Sequence, residues 1–250
     1  MKYSIIKNNF AKASSSYISN AIVQKNIQNT LLKSSTFLTN VNTILNIGIR
    51  DISEPNKLSS IFDNAKIDAI DITLDGISTD NDNISLHQLN YDTELDSLPS
   101  EYDLVFSNMS LQWTKDFPSL IKKLRYKIKP NGYLIFSVPI AGNFAELENI
   151  LRTNSMPKFE SIIDILIKND FYPISQKINQ EIRFGDFRSM LRHIKKTGIN
   201  SYTGSQAPNT AKLRTFIRQN NPTNLTYKAG IFICKKGVIN AETIYNSDRY

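Results

Sequence analysis

The sequence predicts an α/β fold in which a mostly parallel sheet of seven strands is covered by helices on both faces. Short apolar runs alternate with helix-like segments along the chain, and this alternation is typical of parallel sheets with helical crossovers. The runs are nearly continuous in apolar residues, as expected of strands that are buried on both faces. Because 250 residues with 40% hydrophobic content can bury one sizeable core, we predict a single domain over residues 1–250.

The predicted elements follow one another in a regular order. Residues 1–40 have apolar positions at three- and four-residue steps, which indicates an N-terminal helical segment with a break near residues 14–16, where serines compete for backbone hydrogen bonds. Residues 41–140 form the predicted sheet core, residues 141–222 are mainly helical, and residues 223–250 hold a final antiparallel strand and a tail. The predicted strands are 43–48, 66–72, 83–89, 102–108, 132–139, 172–184 and 225–237, and the later helices are 53–62, 116–128, 159–171 and 185–199.

The composition limits the classes of function. No run of about 18 apolar residues is present to span a bilayer, and the N-terminus lacks the apolar segment of a secretion signal, so we expect a cytoplasmic protein without a membrane partner. One cysteine and two histidines are too few for a typical zinc site, and we expect no metal. Cys234 lies inside an apolar run, where a buried packing thiol is expected rather than a catalytic one.

The formal net charge of +7 bears on partners. A positive surface speeds the encounter with polyanions, whether nucleic acid, anionic lipid or an acidic protein, without choosing among them. The basic run at residues 122–129 has apolar residues at helical spacing, so its lysines are interpreted as the solvated face of a packed helix.

In such sheets ligands bind beyond the carboxyl ends of the strands, where the strand order reverses. Gly48 ends the first predicted strand, and Asp71 closes the second, 23 positions later. An acid at this distance from a glycine turn is suited to accept hydrogen bonds from ribose hydroxyls, with a loop aspartate or a cap as the alternative. Asp71, the following Ile72 and Asp92 after the third strand are therefore candidates for contact with a nucleoside cofactor, although Asp92 lies in a loop crowded with acids that could serve solubility alone.

The segment SNMSLQW follows the fourth predicted strand directly. It holds the polar pair Ser107 and Asn108, then Gln112 and Trp113, the chain's only tryptophan. A tight turn does not need these side chains, so they are candidates for substrate or cofactor contact, with a packing role for Trp113 as the alternative.

These segments resemble the malonyl-acyl-carrier-protein O-methyltransferases of biotin synthesis, a family of class I S-adenosylmethionine-dependent methyltransferases. The family pattern F-x-x-A-x-x-x-Y-x-x-x-A-x-x-Q is matched from Phe10 through Tyr17 to Gln24, and D-L-V-x-S-N-x-x-L-Q-W is matched at residues 103–113. The segment IKPNGYLIFSVP and the final strand are similar as well. The resemblance covers residues 8 to 236 and implies a Rossmann-like fold with an N-terminal helical lid.

The resemblance implies a reaction as well as a fold. The methyl group of S-adenosylmethionine would pass to the free carboxylate of a malonyl thioester on acyl carrier protein, an acidic partner that suits the basic chain. Residues 141–222 would then contact the substrate or this partner. The implied catalytic residues are Tyr17, Gln24, Ser107, Asn108 and Trp113, and the implied cofactor-binding residues are Gly48, Asp71, Ile72, Asp92 and Ser107.

The glycine loop departs from the family pattern. That pattern is roughly D-x-G-x-G-x-G. This chain has Asn46 in place of the acid, keeps Gly48, and has Arg50 and Ile52 in place of the next two glycines. The Arg50 side chain would intrude on the cofactor space, turn outward, or meet the cofactor's carboxylate, and we expect weakened rather than abolished binding.

Two rival functions come from other classes. The N-terminal and L-Q-W patterns are also similar to those of respiratory complex I assembly factors with the same fold, and the altered loop is compatible with a non-catalytic scaffold. A nucleic-acid methyltransferase would suit the charge, but the Asn/Asp-Pro-Pro-aromatic motif of base-flipping enzymes is absent from the sequence, so we expect no nucleic-acid partner.

Overall fold

A computed structural model describes residues 20–99, 101–147, 154–197 and 223–237. The described chain folds around one seven-stranded sheet of order β3-β2-β1-β4-β5-β7-β6. The strands are β1 (Thr43–Ile47), β2 (Lys66–Asp71), β3 (Ile84–Gln88), β4 (Tyr102–Asn108), β5 (Ile128–Pro139), β6 (Phe171–Arg183) and β7 (Asn224–Lys236). The α-helices are α1 (Ile22–Ser35), α2 (Ser53–Ile61), α3 (Phe117–Lys127), α4 (Phe159–Lys168) and α5 (Phe187–Lys196).

The sheet has the predicted topology. Strands β1 to β5 pair in parallel, while β7 pairs antiparallel with both β5 and β6. The chain leaves β1 for β2 and β3 on one side and then returns to place β4 on the other side of β1. The strand order therefore reverses between β1 and β4, which is where a ligand crevice is expected at the carboxyl ends.

Each face of the sheet has its own apolar core. On one face, Ile27 and Leu31 of α1 and Leu58 of α2 pack with Ile44 and Phe106. On the other, Leu120 of α3 and Ile162 of α4 pack with alternate residues of the same strands, Leu45, Ile47 and Val105. Because successive strand residues point to opposite faces, Asn46 shares the face of Ile44, the one covered by α1 and α2.

Local sequence explains where two helices begin. The side chain of Asp116 accepts a hydrogen bond from the backbone N–H of Ser119 at 3.2 Å, at the start of α3. Asp186 does the same for Ser189 at 2.6 Å, at the start of α5. These carboxylates satisfy backbone donors that have no partner inside the first turn of a helix.

The predicted strands and helices in the described residues are present with some shifts in their bounds. The helix predicted over residues 159–171 ends at Lys168, and Phe171 already begins β6. Strand β5 begins at Ile128 rather than at residue 132, because the chain passes into it directly from the end of α3. The lysines of the basic run at residues 122–129 are expected on the solvated face of α3. Lys127 is an exception, because it is buried and donates from Nζ to the carbonyl of Leu98 at 2.9 Å. The expected break at residues 14–16 lies outside the described residues.

Three further observations concern the described residues. Cys234 is fully buried, and this burial raises the pKa of its thiol well above the usual value, as a packing role requires. Within the described ranges, no helix has the length and apolar character needed to cross a membrane. The same part of the chain holds no group of His, Cys, Asp and Glu side chains placed to bind a metal ion.

Candidate active site

The carboxyl ends of β1, β2 and β4 meet at two small adjoining cavities of about 20 and 40 Å³. Gln24, Gly48, Arg50 and Asn108 line both of them, and Asp71 lines the larger. Residues far apart in the sequence are therefore brought to the edge of the sheet that the topology marks as the ligand crevice. Each cavity is the size of a few water molecules, so a larger ligand at this edge extends beyond it or moves the Arg50 side chain.

Gly48 turns the chain sharply at the end of β1. Its φ is +81°, and its backbone N–H donates to the carbonyl of Ile70 at 2.7 Å. A β-carbon at this position would lie 1.9 Å from Oγ of Ser110. Both the positive φ and the close approach of Ser110 require glycine here.

Asp71 closes β2 with its carboxylate almost out of water, since the residue is 5% exposed. Burial raises the pKa of Asp71 to about 6, while the nearby Arg50 guanidinium and the backbone amides of Thr73 and Ile72 act in the opposite direction. Arg50 therefore turns toward the site rather than outward. It lines both cavities and places a positive charge near the predicted ribose-binding acid.

Gln24 brings an unused polar group to this edge. The residue is 4% exposed, and within the described residues neither atom of its carboxamide has a hydrogen-bond partner. Helix α1 is held in place here because Nδ2 of Asn108 donates to the backbone carbonyl of Gln24 at 3.1 Å, and Oδ1 of Asn108 accepts from Ser137 at 2.9 Å. A buried amide without a partner loses its hydrogen bonds to water without replacement, so this one is placed to contact a ligand.

The segment after β4 forms a short 3-10 helix, Leu111–Trp113. Trp113 is 9% exposed and lines the larger cavity together with Gln112. Nε2 of Gln112 donates to the carbonyl of Met109 at 2.7 Å, while its buried Oε1 has no hydrogen bond to any described residue. The L-Q-W segment thus adds an aromatic wall and a second unused amide oxygen to the site.

The other predicted site residues lie apart from these two cavities. The hydroxyl of Ser107 is buried and donates to the carbonyl of Ile47 at 2.9 Å, which ties β4 to β1. Both carboxylate oxygens of Asp92 accept hydrogen bonds, from Thr114 Oγ1 and from the backbone N–H of Lys115, so it braces the loop after Trp113. Ile72 is half-buried beside Asp71. Roles for these three in binding or catalysis stay predictions, and Tyr17 lies outside the described residues.

Glu54 is a buried carboxyl group at this site that the sequence did not single out. It is 4% exposed, and its two oxygens accept from Nδ2 of Asn46 and from Nε2 of Gln28, each at 2.7 Å. Burial raises the pKa of Glu54 to about 7, with the charge of Asp51 adding to the increase and the two amides and Lys57 opposing it. An acid in the first turn of a helix is usually solvated, so no local signal predicts this burial.

Comparison with known proteins identifies the family to which the fold just described belongs. A family model described as a methyltransferase domain matches residues 43–205, which is more than half of the chain. The chain belongs to this methyltransferase domain family. The match spans β1 to α5 and so includes every strand whose carboxyl end forms the site.

Two relatives of this methyltransferase carry the name malonyl-[acyl-carrier protein] O-methyltransferase 2. It is 33% identical to malonyl-[acyl-carrier protein] O-methyltransferase 2 of Coxiella burnetii over 56% of this chain, a match that spans only about half of that relative, 56% of its length. It is 28% identical to malonyl-[acyl-carrier protein] O-methyltransferase 2 of Ilyobacter polytropus over 82% of this chain and 84% of that relative.

A solved structure shows the same fold at low sequence identity. The N-methyltransferase NodS of Bradyrhizobium japonicum, in complex with S-adenosyl-L-homocysteine, superposes with a TM-score of 0.51 at 13% identity and covers 88% of this chain and 98% of its own.

Proposed function

We propose that this methyltransferase transfers the methyl group of S-adenosylmethionine to the free carboxylate of a malonyl group carried on acyl carrier protein, an early step of biotin synthesis. The observation that carries the proposal is the match to the relative from Ilyobacter polytropus, which bears this activity in its name and aligns with most of both chains. Five of the predicted site residues lie together at the carboxyl edge of the sheet: Gln24, Gly48, Asp71, Asn108 and Trp113. The named relatives favour this function over an assembly factor or an inactive scaffold.

The residues present fit S-adenosylmethionine by their chemistry. Asp71 offers a buried carboxylate at the end of β2, suited to two neighbouring ribose hydroxyls, and Gly48 keeps the backbone of the turn free of a side chain. The carboxamide of Gln24 and Oε1 of Gln112 are buried and have no hydrogen-bond partners among the described residues, so they suit the groups that a polar cofactor and substrate bring. Ile72, Asp92 and Ser107 complete the proposed cofactor-binding set.

The chemistry requires alignment more than proton transfer. When bound, S-adenosylmethionine supplies an electrophilic methyl group, so that a carboxylate oxygen gains the bond to carbon as the carbon–sulfur bond breaks and the charges of the two reactants cancel. A carboxylate is ionised at neutral pH, so the protein needs no general base. Its contribution is to hold the reacting oxygen in line and to replace the water around it.

We assign this alignment to the two sides of the larger cavity. Gln24 on α1 offers a buried amide donor, Asn108 fixes α1 against β4, and Trp113 excludes water from the other side. Tyr17 and Ser107 belong to the same proposed catalytic set. An acidic carrier protein would approach a chain of net charge +7, and this attraction raises the rate of encounter.

The test is methyl transfer from radiolabelled S-adenosylmethionine to purified malonyl carrier protein. Acetyl carrier protein, which has no free carboxylate, is the matched acceptor control and should remain unlabelled. Gln24→Ala should lower kcat/KM by about tenfold or more because an amide contact is lost, while Gln176→Ala, at an exposed position of β6, should not change it. Binding of S-adenosylhomocysteine without any methylation of the malonyl protein would refute the assignment and favour a scaffold.

A further inference from the structure

The smaller cavity carries charges of both signs. Lys25 on α1 and Arg50 after β1 lie on its wall, as do Asp51 and Glu54 at the start of α2. Asp51 is committed to the chain itself, since its Oδ1 accepts from the backbone N–H of Ser53 at 2.8 Å and from the Ser53 hydroxyl. Glu54, which is 4% exposed, is the buried carboxyl group on this wall, whereas Asp51 is half-buried.

Glu54 is buried without a cation in contact. Its hydrogen bonds come from the neutral amides of Asn46 and Gln28, and in the described part of the chain it forms no ion pair. The charge of Lys57 acts on the Glu54 carboxyl group, but its Nζ donates to Gln28 and Asn29 instead. A buried carboxylate is costly unless a positive charge compensates it, so the site is suited to a cationic group from outside the chain.

A second observation points to a ligand at the same place. The buried carboxamide of Gln24, which has no hydrogen-bond partner in the part of the chain that the structure describes, lines this cavity as well as the larger one. Cations and an acid within one small space, together with an unused amide, match a ligand group that carries an ammonium and a carboxylate on neighbouring atoms. An α-amino acid group has this composition.

We propose that the amino-acid end of the cofactor is bound by α1 and the first turn of α2, with Glu54 holding its α-ammonium group and Lys25 and Arg50 its carboxylate. This inference rests on the proposed binding of S-adenosylmethionine. It names the residues that bind the cofactor's amino-acid end in a loop that lacks two of the family's glycines. Asn46 stands at the position of the family motif's acid. In this proposal it is a positioning residue, because its amide orients the Glu54 carboxylate.

Calorimetric titration of the full chain with two ligands tests this inference. S-adenosylhomocysteine has the amino-acid end, whereas 5′-methylthioadenosine keeps the adenosine and sulfur and lacks that end. Glu54→Gln should weaken S-adenosylhomocysteine by about tenfold or more and 5′-methylthioadenosine by less than about twofold. The double variant Asn46→Asp with Glu54→Gln, which moves the carboxylate to β1, should recover part of the affinity, and Asp63→Asn at an exposed position beyond α2 should change neither ligand.

Proton release gives an independent readout. At about pH 6.5 a large share of Glu54 is protonated, so binding an ammonium group there should release protons, seen as a dependence of the binding enthalpy on the buffer. Asp51, Lys57, Lys25 and Arg50 also face this cavity or Glu54, and Glu54→Gln isolates its share of the released protons.

The outcomes separate the two proposals. Unchanged affinity of Glu54→Gln for S-adenosylhomocysteine would overturn this inference and leave the proposed function standing. Equal losses for both ligands would also overturn it, because they would show a role in folding the site. Failure of the natural chain to bind either ligand would overturn the proposed function together with the inference.

Discussion

The unliganded protein should become less stable as pH rises through the titration of Glu54, and Glu54→Gln should remove this loss. Burial raises the pKa of the Glu54 carboxyl group from 4.5 to about 7 in the folded chain. The folded state therefore binds this proton more tightly than the unfolded state, so the group's contribution to stability is full below about pH 4.5 and is lost as pH approaches about 7. A shift of about 2.5 units corresponds to about 3 kcal/mol of unfolding free energy.

The glutamine variant keeps the shape of the site without the charge. Oδ1 of Asn46 is buried and has no hydrogen bond within the described ranges, so rotation of the Asn46 amide would present an acceptor to the new side-chain N–H₂ group. Relative to the natural chain, Glu54→Gln should gain about 3 kcal/mol of unfolding free energy between about pH 4.5 and about pH 8.

Urea unfolding at several pH values measures this difference. Trp113 is the only tryptophan and is buried, so its fluorescence reports the transition. Asp71 titrates in the same direction, since burial raises its pKa to about 6, but it is present in both chains and cancels in the comparison. Asp63→Asn is the control for an exposed carboxylate. Parallel pH profiles for the natural chain and Glu54→Gln would show that the carboxyl group is not desolvated and would refute the reasoning.

Three further predictions concern single side chains. Gly48→Ala should cost at least about 2 kcal/mol more than Gly76→Ala in thermal unfolding, because both glycines have positive φ but only at Gly48 would a β-carbon collide with Ser110; equal losses would contradict this. Asp71→Asn should weaken S-adenosylhomocysteine by about tenfold or more in calorimetry, and unchanged affinity would exclude it from the cofactor site. Cys234 should react with a thiol reagent only as fast as the chain opens, so rapid labelling of the folded protein would contradict its burial.

The fold was predictable because its signals are local and repeated. Apolar runs such as the one ending at Ile47 must be buried on both faces, and the helix-like segments between them supply the cover. Gly48 and Asp71 were predictable for a related reason, since parallel strands bring their carboxyl ends to one edge and thereby bring these two residues together.

The remainder of the site depends on contacts between distant elements. Glu54 looks like an ordinary solvated acid until Gln28 of α1 and Asn46 of β1 enclose it. Whether Arg50 turned inward or outward could not follow from its position after the glycine, because the direction is set by the surrounding side chains. The bracing role of Asp92 likewise depends on Thr114, which lies 22 positions later.

The order of strands in the sheet has a consequence for synthesis of the chain. Strand β7 is the last of the described strands in sequence but lies between β5 and β6, and all 13 residues of β6 pair with it. The strands that carry the candidate site can pair while translation continues, whereas β5 keeps an open edge and β6 lacks its partner β7 until Lys236 has left the ribosome. Open edges are templates for pairing with other chains, so the nascent protein is most exposed to aggregation until β7 pairs with β5 and β6.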